Sequence, residues 1–253
     1  MTRIIMHGAS GFMGKVISDL CEADSDAKVV AGVDVNTEAD RNYPIYKSLD
    51  EVKEEADVII DFSHVSAIDN MLSFCEKSKM PVVLCTTGLS EEQLSKVKDL
   101  SEKSAVLKSA NMSLGINTLM DLLKKAAAVF APAGFDIEIV EKHHRRKLDA
   151  PSGTALALAD SVNEALNNEY EYVYDRSSRR EQRPDKEIGI SAVRGGTIVG
   201  DHDVIFAGTD EVITFSHTAY SRSVFAKGSI EAAKFLNGKG AGLYDMSDVI
   251  AAK

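Results

Sequence analysis

The stretch RIIMHGASGFMGKVISDL, residues 3–20, decides the fold. Residues 3–7 form an apolar β-type run, Gly8, Gly11 and Gly14 follow three apart, and Met13, Val16, Ile17, Leu20 and Cys21 then share one helical face. Strand, glycine turn and helix make the opening unit of a doubly wound sheet. Glycine permits the tight turn there and lets backbone N–H groups and the positive helix end approach a pyrophosphate. The spacing is G-x-x-G-x-x-G rather than the commoner G-x-G-x-x-G, so the turn alone does not establish a ligand. Asp34, at the end of the next predicted strand and 20 residues beyond Gly14, adds the acidic side chain that takes a ribose hydroxyl in such sites.

Working outward, β-rich runs recur at 28–34, 57–62, 81–87 and 105–110. Between them lie a helical stripe of Ile68, Met71, Leu72 and Cys75 and a second helix, whose start Ser90 and Gln93 mark as a capping box. A longer amphipathic helix covers 114–130, and from residue 135 the pattern changes. Runs at 135–141, 187–194, 197–206 and 211–217 surround a helix at about 152–167, and Arg194-Gly195-Gly196-Thr197 reads as a tight hairpin between two of them. Residues 175–187 form a polar loop, expected to be mobile. The expected fold is α/β: a Rossmann-like doubly wound parallel domain plus a smaller α+β domain with a mixed or antiparallel sheet. The helical, then glycine-rich C-terminal segment could close either domain.

The chain of 253 residues carries a net charge of -10, which disfavours nucleic-acid and anionic-membrane partners. Cys21, Cys75 and Cys85 show neither disulfide nor metal spacing, so no metal is expected. No run approaches a membrane span, and the first residues enter a strand without the apolar segment of a signal peptide; a cytoplasmic location is expected.

Against this acidic background, EKHHRRKLDAPSGTA (141–155) concentrates cations. His143, His144 and Lys147 follow a strand, and Pro151-Ser152-Gly153-Thr154 opens a helix, so a His/Lys cluster stands beside a helix N-terminus. That pair suits a small dicarboxylate, and a histidine, which titrates near neutral pH, is the natural proton donor to a substrate reduced by hydride. Two adjacent histidines point in different directions and make a single zinc site improbable.

Together with TTG (86–88), SANMS (109–113), RGGTIVGDH (194–202) and HTAYSR (217–222), these runs resemble the 4-hydroxy-tetrahydrodipicolinate reductase family over nearly the whole chain. The resemblance implies NAD(P)H-dependent reduction in the diaminopimelate route to lysine, with hydride delivered to C4 of a dehydrated cyclic dicarboxylate. By it, His143 is the proton donor, and Lys147, also described as a proton donor, engages the substrate with His144; Gly153 and Thr154 bind a substrate carboxylate. Gly8, Ala9, Ser10, Gly11, Phe12 and Met13 would hold the pyrophosphate and Asp34 the adenine ribose. Cys85, Thr86 and Thr87 with Ser109, Ala110, Asn111 and Met112 would meet the nicotinamide.

The resemblance also implies a homotetramer, a nucleotide domain of 1–114 and 223–253, a substrate-binding and oligomerisation domain of 115–222, and Arg222 near the returning hinge. Cys85 and Met112 depart from the family's usual glycine and aromatic, which touches cofactor affinity more than activity. Asp34 repels a 2′-phosphate whereas Lys15 and Arg41 could attract one, so NADH is favoured with NADPH allowed. Two rivals are a different nicotinamide dehydrogenase, which would need another substrate constellation, and a non-catalytic dinucleotide sensor, which would tolerate loss of His143 and Lys147.

Overall fold

Ile4 and Met6 lie on one face of the first strand, β1 (Thr2–His7), and Ile5 on the other, and all three are buried, so this strand sits in a sheet covered on both sides. The computed structural model describes residues 1–38 and 40–253, in two units: Met1–Leu114 with Ser223–Lys253, and Gly115–Arg222.

In the first unit the glycine turn leads into α1 (Phe12–Glu22), followed by β2 (Ala27–Val33), the short β3 (Ile45–Tyr46), β4 (Val58–Asp61), α2 (Ile68–Ser78), β5 (Val82–Leu84), α3 (Glu91–Ser101) and β6 (Ala105–Leu107). Every residue of β4, β5 and β6 is buried, which is why they read as continuous apolar runs rather than alternating ones. The capping box forms: Gln93 N–H donates to Ser90 Oγ at 3.2 Å, and Ser90 N–H donates to Gln93 Oε1 at 3.1 Å.

The second unit takes up α4 (Leu114–Phe130), then β7 (Asp136–His143), α5 (Gly153–Ala165), β8 (Glu171–Tyr174), β9 (Glu187–Arg194), β10 (Gly200–Ala207) and β11 (Val212–Ala219). Its mixed sheet has the order β11-β10-β7-β9-β8. Ile137 and Ile139 on β7, Ile188 and Ile190 on β9, and Val204 and Phe206 on β10 pack against Leu158 and Val162 of α5 to form its core.

The hairpin expected at Arg194–Thr197 gives way to a strand crossing. The glycines at 195–196 do not make a hairpin: β9 pairs in parallel with β7, and β10 pairs antiparallel with β7, so β7 lies between them. Residues 195–199 instead step over the end of β7, where Gly195 N–H donates to His143 O at 2.9 Å and Gly196 O accepts from Arg145 N–H at 3.2 Å. Gly196 supplies its positive φ of +50° to a crossing rather than to a primed turn. The polar loop 175–187 is tied to β7 through Arg183, which donates to Asp136 at 2.7 Å, to Glu138 at 3.0 Å and to Ile137 O at 2.9 Å.

The chain then returns to the first unit through α6 (Ser223–Leu236), β12 (Gly242–Tyr244) and α7 (Met246–Ala251). β12 adds to β6, completing a parallel sheet of order β12-β6-β5-β4-β1-β2-β3. β3, β8 and β12 were not expected from the sequence; at two to four residues they are too short to show a period. Among the described residues no helix is long and apolar enough to cross a membrane.

Candidate active site

The glycine turn is built so that only glycine fits at two of its three positions. Gly8 has φ +87°, and a Cβ there would lie 2.5 Å from Phe62 O; a Cβ on Gly14 would lie 2.3 Å from Gly8 O. The first helix therefore packs its start directly on the turn. Gly11 caps α1 without a side-chain bond, and the first turn holds no acidic residue, so no carboxylate of that turn offsets the positive end of the helix. This cradle fits a pyrophosphate, with Ala9, Ser10, Phe12 and Met13 completing the loop. Asp34 is joined to it: Ser10 N–H donates to Asp34 Oδ2 at 3.0 Å, and Asn36 N–H to Oδ1 at 3.0 Å.

Of the two cations weighed for a 2′-phosphate, Arg41 is committed elsewhere, donating to Asp19 of α1 at 2.6 Å. Lys15 is exposed.

Two further loops leave the same carboxyl edge of the parallel sheet. Cys85 N–H donates to Asp61 O at 3.0 Å, and Thr86 Oγ1 donates to Ser63 O at 3.1 Å, while Thr87 is exposed. Burial pushes the Cys85 thiol well up, so it stays protonated. Beneath lies a pair that the sequence reading missed, His7 Nδ1 and Asp61 Oδ1 at 2.8 Å, with Ser63 Oγ donating to the same oxygen at 2.6 Å. Burial opposes the Asp61 charge, but these bonds outweigh it and hold the carboxyl below its usual range.

In the 109–112 loop Ser109 and Ala110 stand nearer the surface, Asn111 Oδ1 accepts from Ser113 N–H at 2.8 Å, and the Met112 side chain is buried in the core. The helix α6 reaches this loop at Gly228, where a Cβ would fall 1.6 Å from Met112 O.

The second unit gathers the histidines. His143 ends β7 with its ring buried, its Nδ1 2.6 Å from Glu141 Oε2. Glu141 also accepts from Arg194 at 2.7 Å and 2.6 Å and from Ser152 N–H at 2.9 Å. Ser152 is the N-cap of α5, accepting from Ala155 N–H at 3.1 Å, so the His143 ring and the helix start are joined through one carboxylate. Gly153 opens that helix on the exposed side, where a Cβ would meet nothing within 4 Å, and its N–H donates to the Asp149 carboxylate; Thr154 follows it in the first turn. Lys147 pairs with Asp149 at 2.8 Å, and its N–H donates to His144 O at 3.0 Å. His144 Nδ1 is buried without a partner. Lys142, on the opposite face of β7, is engaged by Asp203 at 2.9 Å.

His202 stands edge-on to His143, ring centroids 5.2 Å apart, and its Nε2 lies 3.0 Å from Ser152 Oγ. Burial, reinforced by His143, pushes the His202 imidazole down to about 4, so it is neutral beside the site. The unfolded chain takes up that proton near pH 6.5 and the folded one only near 4, so the unfolded state binds more protons between these values and stability falls as pH is lowered through them. The full loss is on the order of 3 kcal/mol. Replacing His202→Gln should flatten the pH dependence of unfolding by about one proton in that window, read from denaturant titrations at several pH values. An unchanged slope would exclude His202 as the group.

Glu141, Arg194, Ser152 and His202 were not singled out by their residue types. Glu141 carried a signal, since residues two apart on a strand share a face and His143 was already a candidate. Arg194 and His202 begin and end the run RGGTIVGDH that carried the resemblance, but no local pattern tied them to His143, because sheet pairing brings them to β7.

Two family models divide the chain: Dihydrodipicolinate reductase, N-terminus, matches residues 2–112, and Dihydrodipicolinate reductase, C-terminus, matches residues 115–250. The chain is 57% identical over 250 residues to the 4-hydroxy-tetrahydrodipicolinate reductase of Caldanaerobacter subterraneus subsp. tengcongensis, covering 99% of this chain and 98% of that one. It is 45% identical over 246 residues to the enzyme of the same name from Clostridium tetani, covering 97% and 96%. A solved structure described as dipicolinate-bound dihydrodipicolinate reductase from Paenisporosarcina sp. TG-14 superposes with a TM-score of 0.80 at 25% identity, covering 97% of each chain.

Proposed function

The chain belongs to the dihydrodipicolinate reductase family, and from that premise we propose that His143 is the proton donor in the reduction of dehydrated 4-hydroxy-tetrahydrodipicolinate to tetrahydrodipicolinate. The activity itself is that of a pyridine-nucleotide oxidoreductase in diaminopimelate and lysine biosynthesis, acting on a small dicarboxylate. The observation that carries the assignment is the buried His143 ring joined through Glu141 to the start of α5.

The first unit is the dinucleotide-binding domain in this reading. Gly8 to Met13 hold the pyrophosphate, Asp34 the adenine ribose, and Cys85 to Thr87 with Ser109 to Met112 the nicotinamide end, these last largely through backbone groups. A nicotinamide held there would supply a hydride for C4 of the substrate. NADH is favoured and NADPH allowed: Asp34 lies against the glycine loop and Arg41 is held by Asp19, which leaves Lys15 as the cation for a 2′-phosphate.

In the second unit the N–H groups at Gly153 and Thr154 take one substrate carboxylate, and Lys147 with His144 the other. Lys147 rests on Asp149, which is 57% exposed at its side chain, and such a surface pair gives up its cation at little cost. His143 delivers its proton to the ring carbon as the enamine formed by hydride addition tautomerises. Positive charge gathered at this one place compensates two carboxylates and favours the electron-rich transition state.

Assembly as a homotetramer is part of the proposal, supported by β11, an edge strand whose alternate residues Val212, Thr214, Ser216 and Thr218 are exposed. So is a cytoplasmic location, which three free thiols suit.

The deciding experiment follows absorbance of NADH, and in parallel NADPH, with substrate made freshly from pyruvate and aspartate semialdehyde by the preceding synthase. Oxidation that needs both protein and substrate supports the proposal, and no oxidation by protein that still binds NADH would overturn it. In the same assay Lys147→Ala should lower kcat/KM by about 10- to 100-fold, the equivalent of one charge-assisted bond, with much of the loss in KM. An unchanged substrate response would remove Lys147 from the site.

A further inference from the structure

Glu141 holds a charge where a charge is costly. Its side chain is 0% exposed, yet both oxygens are fully bonded: Oε1 accepts from Arg194 at 2.6 Å and from Ser152 N–H at 2.9 Å, Oε2 from Arg194 at 2.7 Å and from His143 Nδ1 at 2.6 Å. Burial opposes ionisation, but the Arg194 bonds, with those from His143 and Ser152, outweigh it and keep the carboxyl below its usual range. A buried ion pair of this kind does not in general stabilise a fold more than apolar packing would, so stability gives it little reason to be here.

Its geometry supplies one. Glu141 precedes His143 by two residues on β7 and therefore shares its face. Parallel pairing of β9 with β7 sets Arg194 level with His143 and beside Glu141, and Gly200, the first residue of β10, lies at the far edge of the imidazole, where a Cβ would lie 3.0 Å from Nε2. One ring nitrogen is thus held by the protein, and the other faces a position kept clear by glycine.

We infer that Glu141 is a positioning residue for proton transfer: by holding Nδ1–H of His143 it commits the opposite nitrogen, Nε2, to the substrate. The inference rests on His143 as the proton donor. In the cationic ring both nitrogens carry protons; the Nε2 proton passes to the substrate carbon, the Nδ1 proton stays on its bond to Glu141, and the ring is left as the neutral Nδ1–H tautomer. Arg194 keeps Glu141 ionised and oriented, and Ser152 N–H links the same carboxylate to the helix start that binds the substrate.

The test is a pair of backgrounds. Glu141→Gln should lower kcat by on the order of 100-fold in the native enzyme, with the NADH dissociation constant unchanged, but by less than about 3-fold in a protein already carrying His143→Gln, because groups that act as a unit are not additive. Equal losses in both backgrounds would show that Glu141 serves only the fold and would overturn the inference while leaving His143 its role. A His143→Gln variant that turns over normally would overturn both. Should Glu141→Gln not fold, 15N NMR of the native protein decides: the neutral His143 ring is expected as the Nδ1–H tautomer, and the Nε2–H tautomer would sink the inference.

Discussion

His143→Gln is expected to lower kcat by roughly 10²- to 10⁴-fold, the range contributed by a positioned general acid, while the dissociation constant for NADH stays where it was. Glutamine is close to histidine in size, so the packing at the end of β7 is kept, although its amide nitrogen takes the place of Nε2 rather than of the Nδ1 that lies 2.6 Å from Glu141. What it lacks is a proton that can be given up at neutral pH. The cradle at Gly8 to Gly14 belongs to the other unit of the chain, so binding of the nucleotide should be untouched. Single-turnover measurement of NADH oxidation with saturating substrate separates these quantities. Undiminished turnover would mean that the proton comes from elsewhere, and Lys147 would be the next candidate.

Gly8→Ala is expected to abolish measurable nucleotide binding and to destabilise the protein by about 2–5 kcal/mol. Two penalties add. Alanine at φ +87° is held in the left-handed region, at roughly 1–2 kcal/mol, and its methyl would stand 2.5 Å from Phe62 O and 3.1 Å from Ser63 N, an overpacking of about 1–3 kcal/mol. Relief requires the turn to lift away from the end of β4, and the turn is the surface proposed to receive the pyrophosphate. Gly153→Ala is the contrasting case, because the added methyl meets nothing within 4 Å. It should leave thermal stability near native and act on substrate KM alone. Isothermal titration with NADH and thermal unfolding of the two variants check both statements; a Gly8→Ala protein that binds NADH normally would refute the role given to the loop.

The parallel sheet was legible because its signals are local. A strand buried on both faces is a run of apolar residues, a helix covering it repeats at 3.6, and a glycine turn between them must be glycine where φ is positive and where backbone meets backbone. The same locality made His143, Lys147 and the start of α5 visible as one stretch. The hairpin expected at 194–197 failed for the complementary reason. Paired glycines announce that the chain turns, and only the pairing of β9 and β10 with β7 says where it goes.

Sequence by itself determined the fold class and the glycine turn, and it put forward His143 and its cationic neighbour Lys147 as the proposed proton donor and partner, because each is written in residues within one turn or one strand of each other. Tertiary structure alone decided that Arg41 is spent on Asp19, that Gly228 admits the loop at Met112, and that Arg194, from a strand 53 residues away, closes on Glu141 beneath His143. The physical reason is that a carboxylate, a guanidinium and an imidazole have no meaning as a set until sheet register sets them within hydrogen-bond reach and burial removes the water that would otherwise satisfy each one separately.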